Sequence, residues 1–389
     1  MGITLYAMQR LLLSFSAGLL FSTACGPDES LLPEVLGEES SAVPLFDEIN
    51  AVQLFGRNRL TPPRATDLAF HPTRTGELWV TLRHDDDGVP CTSNSIRGCS
   101  DTPGSIVLFE DARAAVPTFQ ILRDQNAQHF MRRPPAIAFG DDDYFATCGE
   151  ARTANSEDDD TDFIGPTLWS AARDVFAVSP SPGGNGSHLD MLHGTPYCMG
   201  MAHLDGNRYF AFNGQAGAID LYNFAQPHEP GGMDHSDGSL RRYMDGELLR
   251  STDIPSHLDY HAGSSTLYIV DTGHSRILRL FVDSGRLGDA IRTPDGIADA
   301  RFVVTADWDV LVPPGELSRP SGIALGSDVF YVTDNTFGLI YQYDLSGQLL
   351  AQFDTGLGPN ALAGIALGPD DKLYWVDMVN GAVWRGDSP

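Results

Sequence analysis

Eight of the eleven histidines fall between His188 and His274, and two of them, His228 and His235, sit in QPHEPGGMDHSDGSLRRY (226–243). That segment also carries Asp234 and Asp237 among glycines and prolines. Imidazole suits Zn²⁺, closely spaced carboxylate oxygens suit Ca²⁺, and either group can serve as a general base. Asp234, His235 and Asp237 are therefore secondary candidates for holding a cation. DHSDG lacks the alternating carboxylates and closing glutamate of an EF-hand, so the expectation is a structural ion or a solvated turn rather than catalysis. His188 and His193 in HLDMLH lie five residues apart, which on a strand sends them to opposite sides and argues against a bidentate pair. The chain has no G-x-S-x-G elbow, no H-E-x-x-H and no phosphate-binding glycine loop with lysine. No hydrophobic period of 2 or 3.6 runs through 226–243, so most of it is loop. What that loop does depends on the elements around it.

The chain of 389 residues is 42% hydrophobic, which is ample for a core, and its 52 acidic against 25 basic residues leave a net charge of -27. A polyanion would be repelled at long range, which excludes nucleic acid as a partner. Arg10 is followed by LLLSFSAGLLF (11–21), an apolar run suited to a signal sequence and too short to span a bilayer. Small residues then lead to Cys25. The stretch resembles a bacterial lipobox, with Ser22 where leucine is usual, and implies lipidation of Cys25. The expected organisation is a lipoprotein signal peptide over 1–25, an acidic flexible tether over 26–48 and one domain over 49–389. The expected location is the cell envelope, at the outer membrane and facing periplasm or exterior, with the lipid as the sole membrane contact. Setting Cys25 aside leaves an even number of cysteines in an exported chain, which favours disulfides. Cys91 and Cys99 would staple one polar insertion, leaving Cys148 to pair with Cys198.

Six segments share one grammar: RATDLAFHPTRTGELWVTL (64–82), RPPAIAFGDDDYFAT (133–147), TPYCMGMAHLDGNRYFAF (195–212), IPSHLDYHAGSSTLYIVD (254–271), RPSGIALGSDVFYVTD (319–334) and ALAGIALGPDDKLYWVD (361–377). Each is a short apolar strand, a turn and a second strand rich in aromatic and branched residues, which makes a hairpin. A third strand follows in most units, as in GAIDLYN (217–223) or SRILRLF (275–281). Repeating sheets that cannot bury both faces alone predict an all-β, six-bladed β-propeller. The last unit stops after three strands, so a strand within INAVQLFGR (49–57) is expected to close the ring and remove its open edge. Seven blades is the alternative, with RFVVTADWDVLV (301–312) as an extra degenerate sheet.

The segments PSGIALGSDVFYVTDNTFGLIYQYD (320–344) and TLYIVDTGHSRILRL (266–280) resemble NHL repeats, and KLYWVDMVNGAVWRGD (372–387) leans toward the YWTD variant. The resemblance implies the propeller fold; propellers of this type host lactonases, strictosidine-synthase-like hydrolases, an amidating lyase and pure binding proteins. The amidating lyases place a histidine directly after the proline that opens an inner strand, where this chain has Tyr197, Ser256 and Ser321.

In such a blade the inner strand begins and the second strand ends at one face, the upper one, where ligands usually bind. That geometry brings His193, His257, Asp271, Asp334 and Asp377 to the channel mouth as metal or ligand candidates, with His84 and Glu150 at the roots of two insertions. The three aspartates also fit the repeat's turn grammar, where they accept backbone N–H bonds. His71, His203 and His261 occupy equivalent turns at the lower face, where turn-capping is expected. With no complete catalytic set, no catalytic residue is assigned. The expected function is a monomeric envelope lipoprotein whose propeller binds an unidentified protein or small molecule. The alternative is a metal-dependent hydrolase of the lactonase or strictosidine-synthase-like type, using Ca²⁺ or Zn²⁺ at the channel mouth.

Overall fold

The computed structural model describes residues 52–53, 64–83, 104–153, 164–178, 185–293, 297 and 299–387. The expected signal peptide and tether with Cys25, His84 and the expected Cys91–Cys99 pair lie outside the described residues.

Apolar stretches of four to eight residues broken by Gly, Asp and Pro turns fold into antiparallel sheets, and the described strands group into six of them. The inner strands are Arg64–Phe70, Ile137–Phe139, Cys198–Asp205, Leu258–His261, Pro320–Leu325 and Leu362–Leu367, one for each of blades 1 to 6. Each contacts the inner strands of both neighbouring blades, including the last with the first, so the sheets stand in a ring. This is a six-bladed β-propeller. Val52–Gln53 forms the outer strand of blade 6, with Val52 opposite Val383 and Gln53 opposite Ala382. The front of the domain thus supplies the strand that its tail lacks.

The core follows from the ring. Apolar side chains alternate between the two faces of each sheet, and a blade can hide them only against its neighbours. Six clusters of buried residues result, one at each junction between blades. Between blades 1 and 2 the fully buried Trp79 and Trp169 surround Phe145, and their indole N–H groups reach Glu77 Oε1 (2.7 Å) and Thr147 Oγ1 (2.9 Å). Near the axis the strands must come closer than side chains permit. A Cβ on Gly200 would meet the Ser256 carbonyl at 2.0 Å, and one on Gly322 the Ala363 carbonyl at 2.2 Å. The recurring Gly-x-Ala of the inner strands is explained by that crowding.

No seventh sheet forms from 301–312. Asp299–Val304 pairs in parallel with Ser239–Tyr243 at the outer edge of blade 3, while Trp308–Val312 is the outer strand of blade 4. Asp299–Val304 also pairs with Arg286–Ala290, so a hairpin inserted between the third and fourth strands of blade 4 laps onto blade 3. A single apolar stretch is shared between two sheets, which is why it read as an extra unit.

Candidate functional site

The inner strands of all six blades surround an axial cavity of about 370 Å³. Leu68, Phe70, Phe139 and Leu325 are among its apolar lining residues, and Asp67, His257, Asp259 and His203 supply most of the polarity. Apart from Arg64, the residues at the starts of the inner strands are buried, whereas Phe70, His203, Leu325 and Leu367 near their ends are partly exposed. The cavity therefore opens at the lower face, opposite the mouth where a site was expected.

The reason is a plug at the upper end. Glu150 and Arg83, both almost wholly buried, form a direct ion pair between blades 2 and 1. Glu150 Oε1 also accepts from Arg250 Nη1 at 3.1 Å and from the Asp253 N–H at 3.0 Å. Asp253 in turn accepts from Arg83 and, at 3.0 Å, from Arg133 Nη2. Burial alone would raise the Asp253 carboxyl, but Arg83 and Arg133 hold it below the usual carboxylate range. The Cys148–Cys198 disulfide ties the end of the second strand of blade 2 to the start of blade 3 at this same face. Beneath the plug His257 reaches across the axis. Its Nε2 lies 2.9 Å from the Pro135 carbonyl and its Nδ1 3.4 Å from Asp67 of the opposite blade.

Below His257 the charges are handled differently. Asp67 accepts backbone N–H bonds from Leu68 (2.8 Å) and, in the next blade, Ile137 (2.9 Å). Asp259, diametrically opposite, repeats this with Tyr260 and Leu325 at 2.8 Å each. Burial raises Asp67 in spite of His257 and its two backbone donors. Burial pushes Asp259 up to about 6 against its two backbone donors, and repulsion from Asp67 adds to the rise. Two opposite blades thus present carboxylates to the cavity without an arginine or lysine among its lining residues. The sequence reading missed both. Their visible signal is an aspartate inside an otherwise apolar inner strand, TDLAF and HLDYH.

The expected ring of histidine and aspartate is not assembled at the upper mouth. Of its members, His257 alone lines the cavity. His193 stands on the crossover from blade 2 to blade 3, its ring 6.3 Å from that of His129. Asp271, Asp334 and Asp377 do end second strands, each fully buried in turn bonds. Asp271 accepts from the Leu249 N–H and Arg276; Asp334 from the Ser318 and Thr336 N–H groups; Asp377 from the Val379 N–H and the Asn380 side chain. At the lower turns the His71 ring accepts from the Thr73 and Arg74 N–H groups, and His203 faces the Gly206 carbonyl.

The loop between the third and fourth strands of blade 3 packs on the outer strand of blade 2, His188–Met191. Asp234 and Asp237 are occupied locally: Asp234 accepts from the N–H and hydroxyl of Ser236, and Asp237 from the Gln226 N–H. His235 Nδ1 lies 2.7 Å from buried Asp190, whose carboxyl burial raises even so. His188 and His228 stand beside His235. Burial lowers both rings, His188 to about 3, so each is a neutral imidazole at ordinary pH.

No protein-family model and no curated protein matches the chain. Among solved structures it is similar to a protein of unknown function from Bacteroides thetaiotaomicron, at 13% identity over 87% of this chain and 72% of that one, with a TM-score of 0.49. An auxiliary nutrient binding protein from the same species gives 12% identity over 83% and 68%, with a TM-score of 0.47. The nidogen/laminin complex gives 14% over 78% and 84%, with a TM-score of 0.45. Likeness this distant says nothing about what the chain binds. Among the described residues no helix is long and apolar enough to cross a membrane.

Proposed function

We propose that the protein is a cell-envelope lipoprotein whose propeller is a binding scaffold, taking a small ligand rich in hydrogen-bond donors into the axial cavity. The observation that carries this reading is the cavity itself, concave, with apolar side chains from all six blades around two opposed carboxylates at Asp67 and Asp259. The His257 imidazole does not serve as a general base there, because its Nε2 is engaged with the Pro135 carbonyl and its Nδ1 faces Asp67. The carboxylates that a hydrolytic metal would need at the upper mouth are engaged in turns, which weighs against the hydrolase alternative. Export is supported by the apolar run before Cys25 and by a disulfide, a bond of oxidising compartments.

Native mass spectrometry of the protein purified from envelope fractions tests the cavity. The wild type is expected to carry a small-molecule adduct, and Ala366→Phe, which places a ring in the cavity, is expected to lose it. A bare wild-type mass, or an adduct retained by Ala366→Phe, would overturn the reading. For the anchor, Cys25→Ala should move the protein from the membrane to the soluble fraction; an unchanged distribution rejects lipidation at that residue.

A further inference from the structure

His188, His228 and His235 come from two different blades, yet one ring nitrogen of each lies within 4.8 Å of the other two. The loop that brings them together is pinned by backbone bonds from the His228 N–H to the Leu189 carbonyl (3.0 Å) and from the Gly231 N–H to the His188 carbonyl (2.9 Å). Gly232 packs closely beside them, since a Cβ there would lie 2.6 Å from the His228 ring. Phe130 stacks on the buried His188 ring with centroids 3.6 Å apart, fixing its plane.

Each imidazole has its Nδ1 against an oxygen: Asn185 carbonyl for His188 (2.9 Å), Glu229 carbonyl for His228 (2.7 Å) and Asp190 Oδ1 for His235 (2.7 Å). A ring that donates through Nδ1–H carries its lone pair on Nε2. The Nε2 atoms of His188 and His228 are buried and find no hydrogen-bond partner, and neither does Asp190 Oδ2. Buried acceptors gathered without a donor are unfavourable unless a cation meets them. Oxygen bonded to the second nitrogen, including a carboxylate–histidine pair, is the arrangement that orients imidazoles toward a metal.

We propose that His188, His228 and His235 bind a Zn²⁺ ion through Nε2, with Asp190 as the positioning residue for His235. Three imidazoles select a late first-row metal over Ca²⁺ or Mg²⁺, which prefer oxygen. Small ring rotations bring the nitrogens to the roughly 3.3 Å separations set by tetrahedral Zn–N bonds of about 2.0–2.1 Å, leaving a fourth position for water. The site lies at the outer edge of blades 2 and 3 and shares no residue with the axial cavity, so either can fail without the other. It would clamp the loop of blade 3 onto the free edge of blade 2.

Calorimetric titration of the chelator-treated full chain with ZnCl₂, paired with elemental analysis, tests this. One equivalent is expected, binding at least about 10²-fold weaker in His228→Ala and in His235→Ala, and about 10–100-fold weaker in Asp190→Asn. Co²⁺ should give the visible absorption of a tetrahedral site in the wild type and not in His228→Ala. Circular dichroism establishes that each variant is folded, and both single histidine variants are partly exposed, so at least one readable variant is expected. Absence of stoichiometric Zn²⁺ in the wild type overturns the proposal, as does Zn²⁺ affinity and Co²⁺ absorption unchanged in folded His228→Ala or His235→Ala.

Discussion

The two ends of the axial channel treat buried charge in opposite ways. At the upper end Arg83, Glu150, Arg250, Arg133 and Asp253 form one network drawn from four segments of chain, and every carboxylate in it meets a guanidinium. At the lower end Asp67 and Asp259 depend on backbone N–H groups and an imidazole, and both carboxyls are raised. The upper end closes because its charges neutralise one another and leave no room. The lower end stays open and presents two carboxyls to the cavity. Position along the strands matters less than whether an arginine is within reach.

The largest effect is expected from breaking the plug. Glu150→Ala removes the buried carboxylate that Arg83 and Arg250 share and leaves Arg83 only the part-exposed Asp253, which should cost about 3 kcal/mol in urea unfolding. A loss under 1 kcal/mol would mean that water reaches Arg83 and that the upper end is not sealed. Next comes Asp259. Its folded value of about 6 stands above the ordinary carboxylate value near 4, so its favourable contribution is full below about pH 4 and lost as pH rises through 6. Wild-type stability should therefore fall by roughly 2–3 kcal/mol between pH 4 and 8 on account of this group, and Asp259→Asn should remove that slope. Parallel pH profiles for the two proteins would show that the cavity floor is well solvated. The smallest effect belongs to Asp253, nearly half exposed at the rim of the plug. Asp253→Asn should cost only about 1 kcal/mol, because solvent screens it and Glu150 still serves Arg83.

The blades were legible because each hairpin carries its own turn chemistry and strand period, and the closing strand because the last unit is visibly one short. The stretch 301–312 misled because one run of branched residues serves two sheets. The site was less readable. Arg83 meets Glu150 across 67 residues and Asp253 across 170, so nothing in local spacing shows which end of the channel is filled. His188 illustrates the same limit. Its neighbour in sequence, His193, points elsewhere, and its real companions arrive 40 and 47 residues later from the next blade. Asp334 and Asp377 find N–H donors in the turn after the second strand, as the turn grammar suggests, whereas the backbone donor to Asp271 is Leu249 of the preceding crossover.

The hairpin that blade 4 lends to blade 3 makes the circle mechanically uneven. Among the described residues, separating those two blades means peeling four parallel residue pairs along Ser239–Arg242, a hold at the outer edge that no other pair of neighbouring blades shares. Strain on the ring would therefore open another junction before the one between blades 3 and 4, which carries the histidine loop on its near side.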